Sequence, residues 1–245
     1  EAINSWCNEN TEGMIPKILD EIDPTACLYA INSIYFKGAW AAKFDKENTK
    51  KADFTNIDGT SGKVQMMHME DYFQYSSNEL WSTVRLAYGN ASYNMYVLLP
   101  NEGVKIEEVI DAVDSRSWEY AKIRMTQRKV DLKLPAFETE TDMNLKGIMN
   151  SLGIQRAFDP DNAEFNEMIT NPNGNVYLGL IKQKSKIIVS EEGTEAAAVT
   201  IGGTFTTSLP QPSEPVTFHA DRPFIYLIQE QSSNAIFFIG TKVRS

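Results

Sequence analysis

The sequence predicts an α+β fold in which strands outnumber helices, and three observations carry that reading. Cys27 to Phe36 (CLYAINSIYF) is a nearly unbroken apolar run, rich in aromatic and β-favouring residues, with the length of a strand buried on both faces. Trp81 to Tyr88 and Tyr93 to Leu99 flank Gly89-Asn90, a turn signal, and so read as a hairpin. From Arg128 to Leu134, Val130, Leu132 and Leu134 face one way and Asp131 and Lys133 the other, the alternation of a half-buried strand.

The remaining elements follow in chain order. Ile3, Trp6 and Cys7 have the i, i+3, i+4 spacing of a helix. Because the chain opens inside that helix and without an initiator Met, further residues are expected upstream. Ile106 to Val113 is a short helix candidate. Met143 to Leu152 is a better one: Met143, Leu145, Ile148, Met149 and Leu152 fall at helical spacing, Thr141 or Asp142 can cap the start, and Gly153 follows the end. Val176 to Val189 is a long apolar segment interrupted by Lys182, Gln183 and Lys184. Phe224 to Gln229 and Ala235 to Val243 close the chain as strands. Before them, Gly202 to Pro215 (GGTFTTSLPQPSEP) holds two adjacent glycines and three prolines, which predicts an exposed, mobile loop. No repeat, charge block or linker divides the chain, so residues 1–245 are expected to form a single domain.

Composition narrows the function. The 245 residues are 42% apolar and 23% charged, an ordinary globular balance. With 23 Lys+Arg against 33 Asp+Glu, the net charge of −10 disfavours nucleic acid and anionic membranes as partners. No apolar run approaches the roughly 20 residues of a membrane-spanning helix, so no membrane insertion by this segment is expected. Two cysteines, Cys7 and Cys27, are too few for a disulfide scaffold and read as free buried thiols. Two histidines leave little room for a metal centre or acid–base catalysis. His219 lies two residues before Asp221 in a strand-like segment, where a structural role fits better than a triad; His68 reads as a packed or surface residue. Nucleophile-elbow, phosphate-loop, dinucleotide and zinc-protease motifs are all missing from the sequence. The expectation is a protein that is not an enzyme and needs no cofactor or metal.

The segment Glu191 to Thr200 (EEGTEAAAVT) stands apart. Gly193 permits backbone angles closed to other residues, which suits a hinge. If the segment is extended, Thr194, Ala196, Ala198 and Thr200 line one side and Glu195, Ala197 and Val199 the other. The inward row is all small, so such a strand could slide between two others without overpacking. The same composition also fits a capped, solvated helix, since Ala and Glu are strong helix formers.

Five segments, in order along the chain, resemble the serpin family. Asn32-Ser33-Ile34-Tyr35-Phe36-Lys37-Gly38-Ala39-Trp40 is similar to the strand and turn that lead to the family's breach tryptophan, here Trp40. Lys63-Val64-Gln65-Met66-Met67 and Ile236-Phe237-Phe238-Ile239-Gly240 fit as well. EEGTEAAAVT resembles the proximal hinge of an inhibitory reactive-centre loop, placing that loop at about 191–215. Phe218-His219-Ala220-Asp221-Arg222-Pro223-Phe224-Ile225 resembles the signature that follows the loop. The resemblance implies a serpin fold: a large mixed sheet A with smaller sheets B and C and surrounding helices. It starts near the end of the helix that crosses the large sheet, so this chain would be the C-terminal part of the domain, with the missing N-terminal part as a required partner.

The resemblance further implies a suicide-type inhibitor. A target protease attacks the loop, forms a covalent acyl-enzyme, and is trapped when the loop inserts as a strand of the large sheet. The hinge and inserting residues would be Glu191, Gly193, Thr194, Glu195, Ala196, Ala197, Ala198 and Thr200. Asn32 matches an asparagine behind the sheet whose usual histidine partner is replaced here by Gln183, a side chain that can still donate and accept. Counting from the hinge places the reactive bond at Thr207-Ser208; counting back from Phe218 moves it toward Leu209-Pro210, where the proline makes a poor substrate. Thr207 before the bond implies an elastase-like or subtilisin-like target with a small or permissive pocket. Phe205 or Leu209 would suit a chymotrypsin-like one, and papain-like cysteine proteases stay open. No Lys or Arg lies in Gly202 to Pro215, which disfavours trypsin-like targets, whose pocket carboxylate needs a cation. The small inward residues favour an inhibitor over the alternative, a non-inhibitory serpin-fold binding or carrier protein. An extracytoplasmic or secreted location is the expectation, since most proteases that need inhibiting are there.

Overall fold

Val130, Leu132 and Leu134 are fully buried, and the strand they define anchors the larger part of the structure. The structure, a computed structural model, describes residues 1–22, 28–168, 170, 174–194 and 214–245. In chain order its helices and strands are α1 (Ala2–Asn10), β1 (Leu28–Tyr35), β2 (Gly38–Ala39), β3 (Lys50–Thr55), β4 (Ser61–Ser77), β5 (Trp81–Tyr88), β6 (Tyr93–Pro100), α2 (Ile106–Ala112), α3 (Ser115–Ile123), β7 (Thr126–Pro135), β8 (Phe137–Asn144), α4 (Lys146–Ser151), β9 (Leu178–Ser190), β10 (Gly193–Thr194), β11 (Val216–His219), β12 (Phe224–Glu230) and β13 (Ile236–Lys242). By its contacts the chain divides into two units, Glu1–Phe36 with Glu138–Ile188, and Lys37–Phe137 with Val189–Ser245.

In the first unit β1 and β9 run parallel, from Leu28 beside Leu178 to Tyr35 beside Lys186. Cys7 of α1 packs with Ile18 and Leu19 against Ile31 and Leu180 of those strands. The Asn4 side chain ties the segment after α1 down, accepting from the Ile18 and Leu19 amides at 3.0 Å each. Cys7 is a free, buried thiol; Cys27 lies outside the described residues.

The helix expected over Met143 to Leu152 needs correction. Residues through Asn144 belong to strand β8, which pairs with β9, and α4 starts only at Lys146, with no side-chain cap at Leu145. The cause is a charge ladder: Glu138, Glu140 and Asp142 on one face of β8 meet Lys186, Lys184 and Lys182 of β9 at 2.7, 2.8 and 3.0 Å. These lysines are mostly covered, so the cross-strand pairs act in a partly desolvated setting and outweigh weak local helical spacing. Gly153 does follow the helix, at φ +92.

The second unit is built on an eight-stranded sheet in the order β11-β7-β4-β5-β6-β12-β13, with β3 also on β4. Here the two smaller sheets expected from the sequence are joined in one hydrogen-bonded path. β4 makes the join: its first half pairs with β3, its middle with β7, and Gln74 to Ser77 pair with β5. The β5–β6 hairpin forms as read, with Ala91 at φ 67 in its turn. Helices α2 and α3 cover one face, where Val109, Trp118 and Ala121 pack with Trp81, Tyr96 and Leu98. Among the described residues no helix is long and apolar enough to cross a membrane.

Candidate functional site: the hinge beneath Trp40

The segment singled out in the sequence begins where β9 ends. Glu191 and Glu192 make a tight turn, and Gly193 and Thr194 come back antiparallel to Ser190 and Val189 as β10. Neither glutamate has a positive φ; the unusual angle falls on Gly193, at φ +134. Ser190 closes the turn by donating from Oγ to the Gly193 carbonyl at 3.0 Å. On its other edge β10 pairs antiparallel with β2, Gly193 beside Ala39 and Thr194 beside Gly38. Between the extended strand and the capped helix, these first hinge residues therefore take the strand. Glu195 and Ala196 onward, through Ala197, Ala198, Thr200 and the Thr207-Ser208 bond, lie outside the described residues.

Backbone and side chains both hold the turn. The Glu192 carbonyl accepts from the Trp40 amide and the Glu191 carbonyl from the Phe44 amide, at 3.0 and 3.1 Å. The Glu192 carboxylate meets Lys43 at 2.6 Å and Lys46 at 3.3 Å. Hydrogen bonds from Lys43 and Lys46 hold its carboxyl below the ordinary glutamate range. Glu191 accepts from the Thr49 hydroxyl at 2.7 Å. These pairs are solvated, so each is worth little on its own; together they fix the direction of the turn.

Trp40 is 2% exposed. Its indole N–H donates to the Ser190 carbonyl at 2.8 Å, and its ring stacks on Tyr88 with centroids 4.3 Å apart. Thr194 is fully buried, and its hydroxyl sits 2.8 Å from the Tyr88 hydroxyl. Trp40, Gly193 and Thr194, singled out in the sequence, are thus brought together. The sequence reading missed Tyr88, Lys43 and Thr49, ordinary residue types that carry no motif of their own.

Asn32 and Gln183 are brought together in the first unit. They are direct register partners in the β1–β9 ladder, Asn32 exposed and Gln183 half-buried. The segment after the loop is structural: Phe218, Ala220 and Phe224 are core residues, and Arg222 donates from Nη2 to the Pro100 carbonyl at 2.8 Å.

Neither histidine pairs with Asp221, which bonds Arg222 instead. Both converge on Asp131, His68 Nε2 at 2.7 Å from one carboxylate oxygen and His219 Nε2 at 2.9 Å from the other. The bonds cross three neighbouring strands, β4, β7 and β11. Burial opposes the ionised form of Asp131, but the bonds from His219 and His68 outweigh it and hold the carboxyl below its ordinary value of 3.8. A pKa lowered by folding adds stability above that ordinary value, and the addition is lost as pH falls through the folded value. Asp131→Asn is therefore expected to cost about 1–3 kcal/mol at neutral pH, a gap that closes in acid. Urea titrations at neutral and acid pH check this; equal midpoints at neutral pH would refute it. Among the described residues no group of acidic, histidine or cysteine side chains is arranged to hold a metal ion.

Comparison with known proteins places these features in one family. The family model described as Serpin (serine protease inhibitor) matches residues 1–245. Human glia-derived nexin is 34% identical over 98% of this chain and 61% of its own length; human Serpin B13 is 34% identical over 98% and 62%. The native-state crystal structure of Tengpin, a thermophilic serpin, superposes with a TM-score of 0.88 at 31% identity, covering 100% of this chain and 62% of that one. The chain belongs to the serpin family and has the serpin fold. It spans about three-fifths of the length of the curated relatives it matches.

Proposed function

We propose that the protein is a suicide-type protease inhibitor whose loop, about residues 191–215, is bait and spring in one serpin domain. The observation that carries this reading is the seat of Thr194: the first inward side chain of the hinge is buried between β9 and β2 before any cleavage. Gly193 and Thr194 run antiparallel to β9, which is the polarity an inserting loop needs.

In this mechanism the protease nucleophile attacks the Thr207 carbonyl, the bond to the Ser208 nitrogen breaks, and that amine leaves carrying the proton. The protease stays bound as an ester or thioester of Thr207. Residues 195 onward then add to the sheet, each pairing its backbone groups with the strands it parts. The β1–β9 pairing from Leu28 to Tyr35 would have to open as the strand descends. Small residues at Ala196, Ala198 and Thr200 let it pass. The target is a serine protease with a small or permissive pocket, elastase-like or subtilisin-like, met in an extracytoplasmic setting.

The test uses the complete protein, incubated with an elastase-like and a chymotrypsin-like protease and analysed on denaturing gels with mass spectrometry. A denaturant-resistant adduct with the acyl bond at Thr207 is the expected result. Clean loop cleavage without adduct across a broad protease panel would overturn it in favour of a non-inhibitory binding protein.

A further inference from the structure

Tyr88 is the last residue of β5, and its ring is wedged at the hinge. One face stacks on Trp40 at an interplanar angle of 14°, and the Trp40 and Tyr88 backbones form a single antiparallel bridge. Tyr88 is 4% exposed, and burial pushes its phenol well above the usual value, so the hydroxyl keeps its proton. That hydroxyl faces the Thr194 hydroxyl at 2.8 Å, across a chain separation of 106 residues. Two hydroxyls can each donate or accept, so the pair satisfies itself in either direction. Ala41 N to Ala87 O and Gly89 N to Ala39 O, both 2.8 Å, clamp the strand end that carries Tyr88 to the segment that carries Trp40. The receptor for Thr194 is thus held rigid by its own neighbours.

We propose that Tyr88 is the positioning residue of the hinge: its hydroxyl receives Thr194 as the first inserted side chain and sets the fraction of molecules whose hinge is docked before a protease arrives. It selects a hydroxyl at position 194, because an apolar or charged side chain there would leave the Tyr88 hydroxyl buried without this partner. Docking itself needs no inhibition; its consequence for trapping rests on the inhibitory reading above. A docked hinge starts insertion from a formed first pair of strands. An undocked one must form that pair while the acyl-enzyme is hydrolysing.

Tyr88→Phe, Thr194→Val and the double variant of the complete protein test this. Phe keeps the ring on Trp40 and Val keeps the branched shape, so each single variant removes one hydroxyl of the pair and with it the contact between Tyr88 and Thr194. Each is expected to speed amide hydrogen exchange at Gly193 and Thr194 by about 5- to 150-fold, with Trp40 fluorescence preserved. The double variant loses the same single contact, so its exchange should be slower than the product of the two single effects. The number of inhibitor molecules consumed per protease trapped should rise in the single variants and rise no further in the double. Three outcomes overturn the proposal: unchanged hinge exchange in Tyr88→Phe, single effects that multiply in the double variant, or exchange that rises equally along β5 and β6. If the parent protein traps no protease, the inhibitory reading fails alone, and the exchange cycle still decides whether Tyr88 docks the hinge.

Discussion

In the proposed inhibitory mechanism, Thr194→Arg is expected to turn the protein from a trap into a substrate. Thr194 is fully enclosed, with its backbone between β9 and β2 and its hydroxyl on Tyr88. An arginine there has to bring a guanidinium into a fully enclosed site, where the side chain facing position 194 is the uncharged Tyr88 phenol. Leaving a charge buried without a counter-ion costs about 3–5 kcal/mol, more than about a hundredfold in the population of the docked hinge. Trapping is a race between insertion and hydrolysis of the acyl-enzyme. A hundredfold handicap at the first step hands that race to hydrolysis, while the scissile bond itself is untouched. The adduct band should vanish while the loop is still cut at the same bond and at a similar rate. Thr194→Ser, which keeps the hydroxyl, should behave close to the parent. An arginine variant that still forms adduct in full yield would mean that position 194 does not lead insertion.

What the sequence made legible follows the range of the forces involved. The β5–β6 hairpin and the alternation in β7 are local: a Gly-Asn turn and a two-residue period are written within ten residues. The β8 strand was not legible, because what makes it a strand is three lysines on β9, 40, 44 and 48 residues from their partners in sequence. Taken alone, Met143, Leu145 and Ile148 look helical. β4 was missed as a single element for a related reason. It changes partners along its length, from β3 through β7 to β5, so no one period runs through it. Helix α3 shows its start in Asp114, which accepts from the Ser117 amide, but its apolar positions are sparse.

The candidate site divides along the same line. Gly193 and the small residues after it form a pattern that a sequence can display. The groups that receive the hinge do not: Tyr88, Thr49 and Lys43 lie 106, 142 and 149 residues from their partners. The Asp131 cluster is another such case. Two histidines that share no sequence motif meet because β4, β7 and β11 are neighbours, with Glu70 beside Asp131 in one pair of strands and Thr217 beside it in the other.

Gly193→Ala should act earlier in the cycle than Thr194→Arg, on the resting molecule. Gly193 sits at φ +134, a region that costs an L-residue about 1–3 kcal/mol. Space adds to the cost: a Cβ at Gly193 would lie 2.2 Å from the Gly38 carbonyl oxygen, 2.6 Å from Ala39 Cα and 2.7 Å from the Trp40 nitrogen. All three are backbone atoms, so no rotamer change can relieve the clash; β2 and β10 have to separate. Once they do, Thr194 loses its seat as well. The Trp40 amide loses the Glu192 carbonyl, and the indole loses the fixed position of Ser190. The expected signature has three parts: a red-shifted Trp40 emission in the absence of any protease, hinge amides that exchange like open chain, and loss of the adduct. In Thr194→Arg the turn from Ser190 to Gly193 has no steric reason to open, so its Trp40 emission should stay near that of the parent. A Gly193→Ala protein with parent-like emission and hinge exchange would show that the backbone at this hinge is free to take another path, and that the pairing of β10 with β2 does not govern how the loop is held.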